Sequence, residues 1–229
     1  MESVNQSIIS KNIAQIRQTL PENVCLVAVT KYHDVAETQA AVDAGVHDLG
    51  ENKVQDMIAK QPQITGDVRW HFIGHLQSNK VKYLIGNVFL IHSVSSLKLI
   101  RTIEKESAKR DAVTDILLQF NLAEEDTKSG FMADELDEAL ALCEDCPHIR
   151  LSGLMCIGPM TKNPSDILKI FAQLKQMYDT IKATYLNGVN SIRFLSMGMT
   201  DDYPIAVSAG SNMVRIGRKI FYDEEKQHG

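Results

Sequence analysis

The sequence predicts a closed (β/α)₈ barrel, a TIM barrel, that is preceded by an additional helix at the amino end. Short apolar runs recur along the 229 residues, and stretches with helical apolar spacing separate them. This alternation of strand and helix is typical of a parallel sheet. With 44% hydrophobic and 23% charged residues the chain can bury one large core, so we expect a single domain over residues 1–229.

The eight predicted strands are runs in which Val, Ile, Leu or Phe dominate. They lie at 24–30, 47–50, 69–74, 87–94, 115–121, 149–156, 191–197 and 213–221. The helices are predicted from apolar spacing and from capping residues at their starts, such as Ser96 and Asp134. They lie at 4–19, 36–44, 52–60, 78–85, 96–110, 133–145, 164–186 and 202–209.

An open doubly wound sheet is the structural alternative to the barrel. It is weakened because no G-x-G-x-x-G follows the first strand and the chain contains no G-x-x-x-x-G-K-[ST]. The sequence therefore indicates neither a dinucleotide nor a nucleoside triphosphate as ligand.

Charge and hydropathy exclude several classes of partner. A net charge of -5 and a pI near 5.8 argue against a nucleic-acid surface. No apolar segment reaches membrane-spanning length, and the polar amino end is unlike a signal or transit peptide, so we expect a cytoplasmic protein that binds no membrane. The four cysteines are too few for a disulfide framework, and Cys143-Glu144-Asp145-Cys146 ends a predicted helix, so no metal site is expected.

Lys31 stands at the carboxyl end of the first predicted strand, directly after the apolar run 24–30. In barrels of this type the chemistry gathers at the carboxyl ends of the strands. A lysine that traps a carbonyl group must first lose its proton, and partial burial favours that loss. The position of Lys31 therefore indicates a Schiff-base lysine.

The last two strands are followed by small residues whose backbone N–H groups can approach an anion. Ser196-Met197-Gly198-Met199 ends the seventh strand, and Arg215-Ile216-Gly217-Arg218 ends the eighth. The loops after these two strands are the recurrent phosphate site of the architecture. A carbonyl-trapping lysine and a phosphate site at one mouth suggest pyridoxal 5′-phosphate (PLP) as the cofactor.

Long ordered motifs across nearly the whole chain resemble the YggS-type pyridoxal phosphate homeostasis family. They are Val29-Thr30-Lys31, His47-Asp48-Leu49-Gly50-Glu51-Asn52, the segment 70–80 (WHFIGHLQSNK), Lys128-Ser129-Gly130-Phe131, Gly153-Leu154-Met155, Ser196-Met197-Gly198-Met199 and Val214-Arg215-Ile216-Gly217. The resemblance implies a barrel like the amino-terminal domain of alanine racemase, a fold-type III PLP enzyme, without that enzyme's carboxyl-terminal β-domain. It also implies that the chain carries PLP without established amino-acid turnover.

The resemblance assigns a position at the cofactor to ten residues. They are Lys31 (Schiff base), Asn52 (beside the ring), Ser196, Gly198, Gly217 and Arg218 (phosphate), Arg215 (facing the pyridine nitrogen), and also His75, Met155 and Met199. A fixed cation at Arg215 disfavours protonation of the ring nitrogen, so the ring is a weaker electron sink. Carbanion chemistry that relies on the full electron sink, such as transamination or decarboxylation, is then disfavoured, whereas binding and imine exchange are not.

Two positions depart from the family pattern. Arg218 stands where many members carry threonine, which removes a hydroxyl donor to the phosphate but leaves the backbone N–H of that position. Tyr222 stands where glycine is usual after Ile-Phe. The first departure concerns the side chain at the phosphate rather than the existence of the site.

The sequence through Gly229 contains no second β-domain after the barrel. In the related two-domain racemases such a domain supplies a tyrosine to the opposite face of the cofactor in the partner subunit. We therefore expect one open cofactor face, a monomer, and a role in storing, shielding or delivering PLP within the cell rather than an enzyme, with weak residual activity left open.

Three other functions stay open from the sequence. The chain could be a PLP-dependent racemase or lyase of the alanine racemase type, or an aldolase that uses Lys31 without a cofactor. It could also be a regulatory module that acts through a protein partner. The partners expected for the homeostasis role are PLP itself, with PLP-dependent apo-enzymes and amino acids as further candidates.

Several other polar residues have simpler interpretations. His71 and His75 are four residues apart, but the segment between them reads as a strand end, so structural or cofactor-mouth histidines are favoured over a metal pair. Asp201 and Asp202 are interpreted as caps of the next helix. Glu51 and Lys53 are interpreted as a charged pair at a helix start.

Overall fold

Eight parallel strands close into a barrel in the computed structural model, which describes residues 2–125, 127–184 and 191–222. The strands are β1 Cys25–Val29, β2 Asp48–Glu51, β3 Arg69–Phe72, β4 Leu90–Val94, β5 Thr114–Phe120, β6 Ile149–Cys156, β7 Phe194–Ser196 and β8 Met213–Ile216. Each strand pairs with the next in the chain, and β8 pairs with β1. The predicted (β/α)₈ fold is therefore confirmed.

The helices surround the barrel. They are α1 Glu2–Thr19, α2 Val35–Asp43, α3 Val54–Lys60, α4 Leu97–Ala108, α5 Leu136–Glu144, α6 Pro164–Thr184, α7 Tyr203–Ser208 and α8 Arg218–Phe221. Three short 3₁₀ segments, Gln61–Gln63, Ser78–Tyr83 and Ala133–Glu135, complete the regular structure. In the described part of the chain, every helix is too short or too polar to cross a bilayer.

Two predicted elements differ markedly from the structure, and a third is only partly described. The helix predicted at 78–85 is the 3₁₀ segment Ser78–Tyr83. The strand predicted at 213–221 ends at Ile216, because Gly217 starts the turn into α8. The helix predicted at 164–186 is described only to Thr184, and its last two positions lie outside the described residues.

The extra amino-terminal helix packs against α2 and α8 on the outside of the barrel. Its inward face consists of Ile9, Ile13 and Ile16, which are almost completely buried and follow helical spacing. The side-chain amide of Asn12 donates to the carbonyls of Ile220 and Tyr222, at 3.0 and 3.1 Å. These bonds tie α1 to the chain segment that follows the last strand.

Apolar residues are buried in two layers. The larger layer lies between strands and helices and includes Leu49, Phe72 and Phe171. The smaller layer lies inside the barrel and consists of Val27, Leu90, Leu117, Met155 and Met213. Side chains alternate between the two sides of each strand, so β1, β4, β5, β6 and β8 supply the smaller layer from their inward faces.

A buried ion pair joins the carboxyl ends of β1 and β2. Lys60, the last residue of α3, donates to Glu51 Oε1 at 2.6 Å and to the carbonyl of Thr30 at 2.7 Å. The Thr30 hydroxyl donates to the same Glu51 oxygen at 2.7 Å. Glu51 therefore pairs with Lys60 inside the fold, and the interpretation of Glu51 with Lys53 as a helix-start pair is wrong.

Replacing Lys60 with methionine is expected to lower the free energy of unfolding by about 3–5 kcal/mol. The substitution leaves the fully buried Glu51 carboxylate without its cation. Urea unfolding followed by circular dichroism measures the change. The matched control is Lys105→Met, at an exposed position of α4, which should change stability by less than about 0.5 kcal/mol.

A second substitution separates the lost charge pair from the changed side-chain shape. Glu51→Gln in the Lys60→Met background removes the unpaired carboxylate, so it should recover part of the lost stability. The loss of unfolding free energy in the double variant is compared with the sum of the losses in Lys60→Met and Glu51→Gln, each measured alone. If the two are equal, Glu51 and Lys60 are not coupled, and the geometry of the pair is contradicted.

Candidate functional site

A cavity of about 1020 Å³ opens at the carboxyl ends of the barrel strands. Its volume lies at the upper end of small-molecule sites, which span about 300–1,000 Å³. The lining includes seven of the ten residues that the sequence places at a cofactor: Lys31, Asn52, Met155, Met199, Arg215, Gly217 and Arg218. The strand order thus brings residues from both ends of the chain to one mouth.

Lys31 lies two residues beyond the end of β1 and is half-buried in the cavity wall. Tyr32 follows with a φ of 68°, in the left-handed region, so the chain turns sharply directly after the lysine. A capping box between Asp34 and Glu37 then starts α2.

The amine of Lys31 is available for a ligand. Among the residues that the structure describes, no hydrogen bond or ion pair engages it, and its Nζ lies 5.8 Å from the centre of the Tyr32 ring. A primary amine in a cavity wall without a competing partner is what reaction with a carbonyl requires.

Asn52 occupies the corresponding position after β2. Glu51 precedes it and is held by the pair with Lys60, and the backbone N–H of Asn52 donates to Glu51 Oε2 at 3.3 Å. The end of β3 approaches very closely at Gly74, where a Cβ atom would lie 2.1 Å from the carbonyl oxygen of Asn52. Any side chain at Gly74 would displace the backbone that positions Asn52.

Arg215 presents a buried cation at the floor of the cavity, with 4% of its surface exposed. Its Nη1 donates to Ser196 Oγ at 2.7 Å, and its Nη2 donates to the carbonyl of Cys156 at 2.9 Å. Burial lowers the pKa of the guanidinium from its usual value, and the nearby Cys156 and Asp202 oppose that shift. A guanidinium nevertheless remains charged at neutral pH.

The loops after β7 and β8 form one wall of the cavity. Gly198 has a φ of 95°, and a Cβ atom there would lie 2.6 Å from the Cβ of Ala206, so the loop requires glycine. Gly217 precedes α8, whose first turn leaves backbone N–H groups without intrahelical partners. The exposed guanidinium of Arg218 at this wall pairs with Asp201. The arrangement suits an anion.

Three of the ten predicted residues do not line the cavity. Ser196 is fully buried, and its hydroxyl lies in the barrel interior against Arg215 and His92. Gly198 acts through the backbone, because its carbonyl accepts from the N–H of Arg215 at 3.0 Å. His75 is exposed and lines a separate surface pocket of about 490 Å³ at the start of α4.

Sequence reasoning did not place two charged side chains of the lining that are not exposed, Lys128 and Asp202, at the cavity. Lys128 Nζ pairs with Glu125 at 2.8 Å and donates to the carbonyl of Gly158 at 2.7 Å. The available signal was the position of Lys128 in the motif Lys128-Ser129-Gly130-Phe131, since neither strand pattern nor spacing places this loop over the barrel mouth.

Asp202 also differs from its interpretation as a helix cap. It stands at the N-cap position of α7, but its side chain makes no capping bond there and accepts instead from the N–H of Met199 at 2.5 Å. Burial raises the pKa of Asp202, against the lowering effects of the Met199 N–H and Arg215. Asp201 caps nothing either, because it pairs with Arg218.

Two buried histidines lie beneath the cavity, inside the barrel. His71 contacts His92 and the carboxylate of Asp48, each at 2.8 Å. Burial lowers the pKa of both rings, most strongly for His92, which also faces Arg215. His71 is thus a buried side chain far from His75, and the described residues contain no cluster of three or more side chains that could hold a metal ion.

The chain is similar to proteins of one family over nearly its whole length. Residues 4–225 match the family described as alanine racemase, N-terminal domain. A pyridoxal phosphate homeostasis protein of Synechocystis is 36% identical over 92% of this chain and 96% of its own. The Escherichia coli K12 protein of the same name is 33% identical over 93% of this chain and 95% of its own.

Solved structures give the same result. PipY of Synechococcus elongatus, with PLP bound, has a TM-score of 0.86 and 30% identity over 93% of this chain and 100% of its own. Alanine racemase of Clostridium difficile has a TM-score of 0.79 at 15% identity, over 95% of this chain and 57% of its own. The latter likeness concerns the fold alone.

We expect the free energy of unfolding to fall when the pH is lowered from 7 to 5. Unfolded histidines have a pKa of about 6.5. Burial holds the pKa of His71 and His92 below that value, so below about pH 6.5 the unfolded chain binds protons that the folded chain does not. Stability present above this pH is therefore lost as the pH falls.

Asp48 adds to the loss at still lower pH. Burial opposes its ionisation, but hydrogen bonds from His71 and Arg69 outweigh burial and bring its pKa from 3.8 to about 2.

Urea unfolding at pH 7, 6 and 5 measures the loss of stability that the two histidines cause. The variant His92→Gln, which cannot titrate, should show a weaker dependence, and equal slopes for both proteins would contradict the assignment.

Proposed function

We propose that this chain, which belongs to the family of pyridoxal phosphate homeostasis proteins, binds PLP in the barrel cavity and acts in PLP homeostasis inside the cell. The observation that carries the proposal is the convergence of a free amine, a fixed cation and an anion-binding wall on one cavity. PLP combines an aldehyde, a pyridine nitrogen and a phosphate, so its three polar groups match these three features.

In this proposal Lys31 is the amine that forms the Schiff base, and Asn52 lies beside the ring. Arg215 faces the pyridine nitrogen, while Gly198, Gly217 and Arg218 hold the phosphate, and Ser196 acts through Arg215. The fit is supported by the cradle of two glycines, where added Cβ atoms would meet neighbouring residues at 2.6 and 3.2 Å. Met155 and Met199 complete the wall.

Arg215 determines which chemistry the site favours. When bound, PLP supplies an electron sink whose strength depends on protonation of its ring nitrogen. A permanently charged guanidinium facing that nitrogen disfavours the proton, and two hydrogen bonds hold the guanidinium in place. The site is therefore suited to holding the cofactor reversibly rather than to stabilising carbanions.

A PLP-dependent racemase or lyase is the second candidate, since the fold is shared with alanine racemase. A racemase needs a second acid or base opposite the lysine. Apart from Lys31 and Arg215, the lining has two charged side chains that are not exposed, Lys128 and Asp202. Both are engaged by other groups, which favours the homeostasis role.

The proposal also covers the state of the protein in the cell. We propose that residues 1–229 form one PLP-binding domain that works as a cytoplasmic monomer and stores, shields or delivers PLP to apo-enzymes. Amino acids are further candidate ligands of the loaded protein. Light scattering of the purified protein tests the monomer against the chain mass of 25.6 kDa.

Replacing Lys31 with alanine is expected to abolish the Schiff-base absorbance band, at about 410–430 nm, when the protein is mixed with PLP. Borohydride treatment of the unsubstituted protein should leave the mass of the reduced cofactor on the peptide that contains Lys31, as measured by mass spectrometry.

The matched control is Lys53→Ala, an exposed lysine near the same Tyr32 ring, which should keep the band. A band that survives in Lys31→Ala and disappears in Lys53→Ala would show that Lys53, not Lys31, forms the Schiff base. A protein that stays colourless with PLP would favour an aldolase without a cofactor, and a pull-down that depends on PLP loading would favour a regulatory module.

Incubation of the loaded protein with single enantiomers of common amino acids should give no sustained racemisation. The reason is that a racemase needs a second acid or base opposite Lys31, whereas Lys128 and Asp202 are engaged by other groups. Chiral chromatography over many equivalents of protein measures turnover. Continued formation of the opposite enantiomer would overturn the non-catalytic role and establish the racemase candidate.

A further inference from the structure

A continuous chain of hydrogen bonds crosses the barrel interior from the floor of the cavity to the opposite end. We name it the interior chain, and it consists of Arg215, Ser196, His92, His71, Asp48 and Arg69. Its five contacts measure, in that order, 2.7, 3.0, 2.8, 2.8 and 2.6 Å. Five of the eight strands contribute to it, so it links the strand ends at the cavity with the strand starts at the far side.

The two ends of the interior chain determine the direction of every hydrogen in it. Arg215 can only donate. Asp48 is ionised at neutral pH and can only accept, and it already accepts from Arg69 on its other oxygen. With neutral histidine rings, each of which has one N–H, the hydrogens between them must therefore all point from the cavity towards Asp48.

This direction assigns both histidine tautomers. His71 donates from Nε2 to Asp48, so its Nδ1 accepts from Nε2 of His92. Nδ1 of His92 then accepts the hydroxyl proton of Ser196, whose oxygen accepts from Arg215. The side-chain nitrogen and oxygen atoms of Ser196, His92 and His71 all have partners with both rings neutral. An additional proton would bury a second cation beside Arg215, at a large desolvation cost.

We infer that His92, His71 and Asp48 are positioning residues for Arg215, and that Ser196 holds the guanidinium rather than donating to an anion in the cavity. The only hydroxyl proton of Ser196 is committed to His92, so none remains for a phosphate while the interior chain is intact. The part of this inference that concerns the cofactor rests on the proposed function; the tautomers do not.

The consequence for the cavity is a guanidinium with one fixed orientation. Nη1 is held by Ser196 and Nη2 by the carbonyl of Cys156, so two anchors on different strands define its plane. Its remaining N–H groups are then presented to the cavity in a constant direction. The interior chain, which ends on Asp48 at the far side of the barrel, thereby influences the orientation in which Arg215 contacts a ligand.

Nuclear magnetic resonance of the protein with ¹⁵N-labelled histidine tests the direction of the interior chain without any ligand. Among seven histidines, we expect His71 and His92 to be neutral at pH 7 with the proton on Nε2. The two are assigned by their loss in His71→Gln and His92→Gln. A proton on Nδ1 of either ring, or a charged ring, would overturn the inference.

A matched pair of ligands tests the role of Ser196. Pyridoxal carries the same aldehyde and ring nitrogen as PLP but no phosphate. If Ser196 acts through Arg215, Ser196→Ala should weaken binding of both compounds by the same factor, about three- to tenfold, as measured by absorbance titration. The control Ser208→Ala, an exposed serine of α7, should change neither affinity.

The possible results separate the two roles. A loss confined to PLP would make Ser196 a direct phosphate ligand and would overturn the inference, as would an unchanged affinity for both compounds. If the unsubstituted protein binds neither compound, the proposed function fails, and the histidine tautomers still decide whether the interior chain exists as described.

Discussion

The pairing of the last strand with the first is the interaction on which the site depends. β8 aligns with β1 so that Arg215 lies opposite Val27 and Ile216 opposite Ala28. This register brings Lys31, near the start of the chain, to the same cavity as Gly217, near its end. An open sheet of the same strands would leave these two edges apart, and Lys31 and Gly217 would belong to different surfaces.

The barrel interior contains two kinds of packing with different requirements. The apolar layer around Leu117 and Met213 needs only shape and volume. The polar residues beside it need complete hydrogen bonding, because a buried cation such as Arg215 is costly unless its N–H groups have acceptors. The structure meets this need by linking residues of several strands, so the position of one functional side chain depends on groups at the far end of the barrel.

The shared fold does not by itself decide the function. Alanine racemase has the same barrel at 15% identity, yet relatives that match this chain over nearly its full length are named as homeostasis proteins. In this chain, two charged side chains of the cavity lining are bound to the backbone of the surrounding loops. Lys128 and Asp202 hold the loops over the barrel mouth through bonds to Gly158 and Met199, and they are not left free for proton transfer.

The sequence by itself determined the fold and identified seven residues that line the cavity. Apolar runs alternating with helical spacing predict the barrel, and Lys31 stands out as a cation directly after the first of these runs. These are local patterns, and local patterns are visible along a chain. The position of Arg215 at the cofactor was implied by the family resemblance. The sequence did not show that the last strand ends at Ile216, five residues before its predicted end, because Ile220 and Phe221 continue the apolar pattern after Gly217.

Only the tertiary structure decided the partners of each polar side chain. Ser196 has the position of a phosphate ligand in sequence, yet its hydroxyl lies inside the barrel between Arg215 and His92. Glu51 reads as part of a helix start, yet it pairs with Lys60 beneath the cavity. A hydrogen bond requires two atoms within about 3 Å. Which atoms meet at that distance depends on the register of strands far apart in the chain, which no local pattern records.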